Sequence, residues 1–421
     1  MAVWCYKLFW LVCLVSMAMT SAEVACGGHG VCDCLDDHTV DCRYKDLEEF
    51  PSEIPAETVT LHVEGNFITE LRANDLAGLA DLEKLNLHFN SINDIEDESF
   101  GDLGNLEQLA LDYNMVTVVT TSTFAGLDKL THLSLIQNNI SSIEDGSFQP
   151  LSSLRVLDLS FNKIPAAGVS AVLSGLEESL RELGLRYNML QEVPAALGLL
   201  QNLQTLNLAG NNISSIRPIQ NMTSLLTLDL SNNRVMHLDP SMFQNMESLE
   251  VLSLAYNRMG LIEEGVFWNL TELRSLDLQG NNVQRLHRGM FSNVATNSSR
   301  LRLHLRRMNL RTIDKFCFQD VGNPDAKIQI DLRNNRLKLL PPGLCRSLPE
   351  GQLSFKLAGN PWHCDCRMER VPELCPTAVT SRIRCAQPDA LNRRLLGSLE
   401  ADDLVCETTG EPEDGEADSV E

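Results

Sequence analysis

The sequence predicts an α/β solenoid: a horseshoe of short parallel strands along one concave wall, with a disulfide-stapled cap at each end. Three observations predict it. Leucines recur on a grid of about 24 residues in the frame L-x-x-L-x-L-x-x-N. Eight of the 13 cysteines fall in two clusters, one at each end of that grid. An apolar N-terminal run routes the chain to a compartment where cysteines oxidise. A repeat of this length is one supersecondary unit that cannot bury its apolar face alone, so stacked units must share one core.

Residues 1–22 read as a secretory signal. Lys7 precedes the apolar run Leu8–Met19, and Ser21 and Ala22 set a cleavage point before Glu23. The run is shorter than the roughly 20 apolar residues of a membrane span. No later stretch is long enough either, and the final Asp-Ser-Val-Glu is not the apolar tail of a lipid-anchor signal. The expected product is secreted and extracellular, and keeps eleven cysteines once Cys5 and Cys13 leave.

Residues 23–56 are the expected N-terminal cysteine-rich cap, and residues 57–352 hold about twelve repeats. Leu82, Leu85, Leu87 and Asn90 set the frame, and it recurs to Leu273, Leu276, Leu278 and Asn281. A degenerate first unit uses Leu61, Val63 and Asn66; two late ones use Leu303/Leu305 and Ile330/Leu332/Asn335; a terminal strand uses Phe355, Leu357 and Asn360. The L-x-L core has period two, which predicts a short strand with leucines inward and their neighbours on the concave wall. The asparagine carboxamide both donates and accepts, so it can satisfy backbone groups buried at each turn. Met308 holds that place in one unit and cannot do this, which predicts a local irregularity. Spacing stretches to 26 residues from Leu157 to Leu183, where 164–179 reads as a short convex helix. It stretches to 27 from Leu276 to Leu303 and again to Ile330, which predicts a bend or extra loop within 290–326.

The terminal cysteines (Cys26, Cys32, Cys34 and Cys42; Cys364, Cys366, Cys385 and Cys406) read as disulfide frameworks that staple lids over the exposed ends of the core. Zinc, helped by His29, His38 and His363, is the rival reading, and export to an oxidising compartment argues against it. The start, C-x5-C-x-C-x7-C followed by Phe50-Pro51-Ser52-Glu53-Ile54-Pro55, resembles the N-terminal flank of extracellular leucine-rich-repeat proteins. The end, Asn360-Pro361-Trp362-His363-Cys364-Asp365-Cys366 with Ile383-Arg384-Cys385-Ala386-Gln387-Pro388, resembles their C-terminal flank within 353–406. Such flanks occur in variable lymphocyte receptors, Toll-like receptor ectodomains, Slit-type guidance proteins and chondroadherin-like matrix proteins. The resemblance covers residues 26–406 and implies a leucine-rich-repeat solenoid, not a ligand. It also implies the pairing Cys26–Cys34, Cys32–Cys42, Cys364–Cys385 and Cys366–Cys406. Cys317, Cys345 and Cys375 depart from it. Cys317 and Cys345 stand at nearly equivalent convex positions and are candidates for a bridge, which leaves Cys375 single: a link between chains or a buried, inert thiol. The segment between Cys366 and Cys385 is short for the family, which puts its usual helix in question.

The net charge of −23 argues against a nucleic-acid binder, and no nucleic-acid partner is expected. Residues 407–421 carry seven carboxylates and no cation, the composition of a disordered acidic tail. Sequons at Asn139, Asn212, Asn221, Asn269 and Asn297 avoid the strands, so glycans are expected off the wall.

On the wall, the place before the ladder asparagine is aromatic five times: Phe89, Tyr113, Phe161, Tyr187 and Tyr256. Rings there anchor a protein ligand or simply pack along the edge. Val156, Asp158, Arg186, Asn207, Asp229 and Val251 share the wall. Glu64, His88 and Asp112 hold one strand position in consecutive units ~4.8 Å apart, which puts the histidine between two carboxylates: a pH-sensitive contact or a solvated column. Arg302, Arg306, Arg307, Arg311 and Arg333 gather on the degenerate late units, as a site for a sulfated glycan or acidic partner or as charge balance. No G-x-S-x-G, H-E-x-x-H or phosphate loop occurs, so no enzyme, cofactor or metal is expected. The expected function is recognition of a macromolecule, a protein foremost, on the concave face by an immune-type or signalling receptor. The alternative is a matrix or adhesion protein that takes collagen-like or sulfated-glycan ligands.

Overall fold

The computed structural model describes residues 25–26, 30–35, 37–341, 343–344, 353–371 and 383–406. The expected signal and acidic tail, His29, Cys345 and Cys375 lie outside them, as does most of the segment between Cys366 and Cys385. The chain forms two compact units that divide between Met189 and Leu190.

In the first unit, β1 (Asp33–Cys34) lies antiparallel to β2 (Thr39–Asp41). Six strands then follow in parallel: β3 (Thr60–His62), β4 (Lys84–Asn86), β5 (Gln108–Ala110), β6 (His132–Ser134), β7 (Val156–Asp158) and β8 (Glu182–Gly184). Their register is set by the central leucine, Leu61 against Leu85, Leu85 against Leu109 and so on. Each of these leucines is buried, and the residues on either side are not, as a period-two strand with one wet face requires. Helix α1 (Ala166–Leu173) takes up the longer spacing after Leu157.

The second unit continues the plan with β9 (Thr205–Asn207), β10 (Thr227–Asp229), β11 (Val251–Ser253), β12 (Ser275–Asp277), β13 (Arg300–His304), β14 (Lys327–Asp331) and β15 (Leu353–Lys356), all parallel. Here the 27-residue spacing does not yield a loose loop alone: β13 and β14 lengthen to five residues each.

The asparagine ladder joins neighbouring repeats. Asn114 donates to Leu111 O in its own turn and to Leu87 O in the preceding one, both at 3.0 Å, and accepts from Ile92 N at 2.9 Å. Asn90, Asn138, Asn162, Asn257 and Asn281 do the same. At Met308 the carboxamide is replaced by a fully buried thioether. There Asn335 accepts from Met308 N (2.8 Å) in addition to its ordinary ladder donor, Leu310 N (3.2 Å).

A column of phenylalanines fills the outer half of each core: Phe100, Phe124 and Phe148 in the first unit; Phe243, Phe267, Phe291 and Phe318 in the second. This column corrects the expectation for Cys317. The residue before the phenylalanine faces inward: Ser99 bonds Leu71 O and Glu96 O there, and Ser147 does likewise with Val119 O and Glu144 O. Cys317 precedes Phe318, is fully buried and is a free thiol, so it makes no bridge to Cys345. Burial pushes its thiol well above the usual range.

Four disulfides close the two ends: Cys26–Cys34 and Cys32–Cys42, Cys364–Cys385 and Cys366–Cys406. Asp365, Cys366 and Cys406 cluster, but the two sulfurs are bonded to each other and leave no thiolate for a metal. Trp362 is buried under the C-terminal cap, its indole N–H donating to Leu357 O at 3.2 Å.

Candidate ligand-binding surface

The residue before each ladder place, whether asparagine or Met308, has positive φ. It is Phe89 (54°), Tyr113 (54°), Gln137 (57°), Phe161 (59°), Tyr187 (51°), Asn232 (56°), Tyr256 (53°), Arg307 (55°) and Asn334 (57°), and glycine at 65, 210, 280 and 359. The turn therefore demands a left-handed residue, which glycine adopts freely and an L-aromatic adopts at a cost of roughly 1–2 kcal/mol. The same geometry throws each ring over the equivalent position of the next repeat. Phe89 stacks on Tyr113 with centroids 4.3 Å apart, and Phe161 on Tyr187 at 4.7 Å. Tyr256 covers Gly280 and Tyr44 covers Gly65, each occupying the space a Cβ would need. The rings stay wet: Phe89 is 49% exposed and Tyr113 46%. The Arg186 guanidinium lies within cation–π reach of both rings of this stacked pair, 5.3 Å from Phe161 and 4.9 Å from Tyr187.

Next to this aromatic margin, the outward strand residues of the first unit line a shallow depression of about 600 Å³. His62, Lys84, Gln108, His132, Ser134 and Asp158 supply its polar groups. Asp158 fits because residue 184 is glycine: its carboxylate fills the place of the missing Cβ. His62, Lys84, Gln108 and His132 were missed from sequence, although they stand at the flanking places of the L-x-L strands, where outward residues were to be sought.

The charged column does not pair as its spacing suggests. His88 Nδ1 bonds Asn86 Oδ1, and its ring meets Phe89 edge-on at 5.0 Å. Glu64 instead lies against His62, Oε1 to Nδ1 at 3.2 Å, an ion-pair distance without hydrogen-bond alignment. Asp112 accepts from Ser134 Oγ and from Ile136 N at 2.7 Å. Burial raises its pKa, and those two bonds only partly offset the rise. Short local partners win because the strand spacing leaves Asn86 and His62 nearer than the next repeat's carboxylate.

In the second unit the arginines divide. Arg333 is forked onto Asp331 (2.6 Å), and Arg306 Nε donates to Gln279. Arg307 sits exposed at the left-handed turn position. Arg302 belongs to a separate depression of about 590 Å³, with Arg300, Lys327, Gln329 and Ser354. Among the sequon asparagines, Asn139, Asn212, Asn269 and Asn297 are exposed and off the strands; Asn221 ends a 3-10 turn and its side chain is not described.

The leucine-rich-repeat family model matches residues 57–116, 105–164, 178–235 and 223–283, about half of the chain. The human platelet glycoprotein Ib beta chain is 39% identical over 88 residues, 19% of this chain and 41% of that one. Human mimecan is 31% identical over 186 residues, 44% of this chain and 52% of that one. The alignments thus span about half or less of those relatives. Among solved structures, a chain of the Drosophila Toll–Spatzle complex superposes with TM-score 0.65 at 20% identity, over 86% of this chain and 54% of that one. A chain of the octameric Latrophilin 3, Unc5D and FLRT2 complex gives 0.59 at 22% identity, over 90% and 99%. At such identities the superpositions speak to fold alone. No helix among the described residues is long and apolar enough to cross a membrane. By its repeat frame, its asparagine ladder, its capped ends and these matches, the chain belongs to the leucine-rich-repeat family.

Proposed function

We propose that this chain is a secreted recognition module that holds a protein ligand on the open sheet face of its first unit. The observation that carries this is the aromatic margin. The turn accepts glycine, as at residues 65, 210, 280 and 359, so the fold does not need a ring there. Phe89, Tyr113, Phe161 and Tyr187 carry the left-handed penalty and still leave about 36–49% of their surface wet. Unfavoured backbone conformations at exposed aromatic residues point to a surface selected for contact. Beside the turns that carry the rings, the strands form a depression whose lining mixes apolar surface with hydrogen-bonding groups. Secretion is supported by the apolar run of residues 8–19, the four disulfides and the exposed sequons. Catalysis forms no part of the reading.

The test compares the parent with a Tyr113→Ala/Tyr187→Ala variant, both immobilised after secretion, against extracellular protein extract. Proteins retained by the parent should be lost from the variant, with affinity reduced by ~2 kcal/mol or more and an unchanged unfolding midpoint. A lowered midpoint with intact retention would mean the rings only pack.

A further inference from the structure

The depression in the second unit runs against the overall charge of the chain. Acidic residues outnumber basic ones 57 to 34, yet Arg300, Arg302 and Lys327 line this surface and no carboxylate does. All three are exposed. Beside neighbouring strands of the same unit, two arginines are paired, Arg274 with Glu250 at 2.8 Å and Arg333 with Asp331. No ion pair is formed by Arg300, Arg302 or Lys327 among the described residues.

The strand register sharpens the point. Arg300 lies directly opposite Lys327, and Arg302 lies between Ser275 and Gln329. Two like charges facing each other across adjacent strands destabilise a sheet. Arg300 and Arg302, two apart on one strand, point to the same side. Lys356 donates to Gln329 Oε1 at 3.2 Å and adds a fourth cation beside them. The free protein thus holds a self-repelling patch that a multivalent anion would relieve.

We propose that this depression binds a sulfated polysaccharide, with Arg300, Arg302 and Lys327 as the sulfate contacts. A sulfated chain is favoured over an acidic protein segment by what the surface lacks. A protein partner needs a desolvated apolar or aromatic anchor. The apolar residues here are Ile328, which is buried, and Leu353, which is half-buried, and no aromatic side chain lines the surface. A shallow, open, polar surface with spaced point charges suits a linear polyanion. The proposal is independent of the aromatic margin in the first unit, so either can fail alone.

The test uses the full secreted chain and heparin as probe. An Arg300→Ser/Arg302→Ser/Lys327→Ser variant should lose about 100-fold in affinity, roughly a factor of five per cation. Its salt dependence should become shallower, since fewer counterions are exchanged. An Arg155→Ser/Lys163→Ser/Arg234→Ser variant, with the same change in net charge elsewhere, should match the parent. Heparin fragments should raise the unfolding midpoint of the parent and of this control, and leave that of the first variant unmoved. Lys327→Ser alone should raise the ligand-free midpoint by removing the opposed pair. Equal loss in the two triple variants, or no stabilisation of the parent by heparin, would overturn the site. Polyglutamate of matched charge that competes as well as heparin would overturn the sulfated-glycan assignment.

Discussion

The two units share one repeat but present contrasting surfaces. In the first, polar groups of both kinds mix in the depression, and its margin is aromatic. In the second, the depression is cationic, and its turn positions run through glycine, asparagine and arginine as well as one tyrosine. The leucines inside are the same in both. The surface contrast lies in residues flanking the strand leucines and at the left-handed turn position. Neither place is constrained by the core, so two surfaces can diverge while one scaffold serves both.

The largest expected difference between the ends lies in their staples. In a chain-entropy picture, a bridge stabilises more as its loop lengthens. Cys366–Cys406 spans 40 residues and Cys26–Cys34 spans eight. Breaking the first with Cys366→Ser should cost about 4 kcal/mol, and breaking the second with Cys26→Ser about 2.5 kcal/mol. Urea midpoints that rank the other way would show that native packing of the caps, not loop closure, sets their worth.

The ladder supplies the next contrast. Asn114→Ala should cost about 3 kcal/mol, because the buried Ile92 amide loses its side-chain partner and the Leu87 and Leu111 carbonyls each lose one of two asparagine donors. Amide exchange at Ile92 should accelerate. Met308→Ala in the second unit should cost a similar amount, about 2–4 kcal/mol, by leaving a cavity. No amide there depends on that side chain, so exchange of its immediate neighbours through local opening should not rise selectively. A selective rise would mean Met308 orders the turn as an asparagine does.

Smaller effects separate backbone from ring. Tyr113→Gly trades a left-handed penalty for a lost stacking partner of comparable size, so its unfolding free energy should shift by less than about 1 kcal/mol. A larger loss would make the aromatic margin part of the core. In the same range, two aspartates should respond oppositely to acid. Burial raises the Asp112 carboxyl, so its charge is a burden at neutral pH that eases as pH falls through the folded-state value. Asp112→Asn should then stabilise at pH 7, and the gain should fade below about pH 4. Burial also acts on Asp331, but the hydrogen bonds from Arg333 outweigh it and hold the carboxyl low. Asp331→Asn should destabilise at pH 7, with the deficit shrinking as acid protonates the parent. Finally, Cys317 should stay unlabelled by a thiol reagent in the native protein and label on unfolding.

The fold was legible because a solenoid is nearly one-dimensional. Each strand meets only the next repeat, so the spacing of Leu85, Leu109 and Leu133 is also their register. Asn114 was legible for a different reason: a buried polar residue at a fixed place must be serving the backbone. The turn conformation was less so. Tyr113 and Tyr187 stood out as aromatics, while the glycines at 210 and 280 in the same place, the signal for a left-handed residue, went unread. Cys317 was misjudged because the phenylalanine column was not traced. Ser99 and Ser147 before Phe100 and Phe148 would have placed it inside. Arg302 was picked out, but grouping by sequence joined it to Arg306 and Arg333, which face other partners, and left out Arg300 and Lys327, which oppose each other across the strands in the same depression.

Residue 137 illustrates the consequence of a turn whose shape ignores its side chain. It is glutamine, it has the same left-handed backbone as Tyr113 before it and Phe161 after it, and it interrupts two ring pairs. Exchanging it for tyrosine would splice Phe89–Tyr113 to Phe161–Tyr187 as one unbroken run of five rings, with no strand shifted and no bond of the ladder redrawn. The turn is a row of interchangeable letters set in fixed type: new partners can be spelled one codon at a time, and the press that prints them never has to be rebuilt.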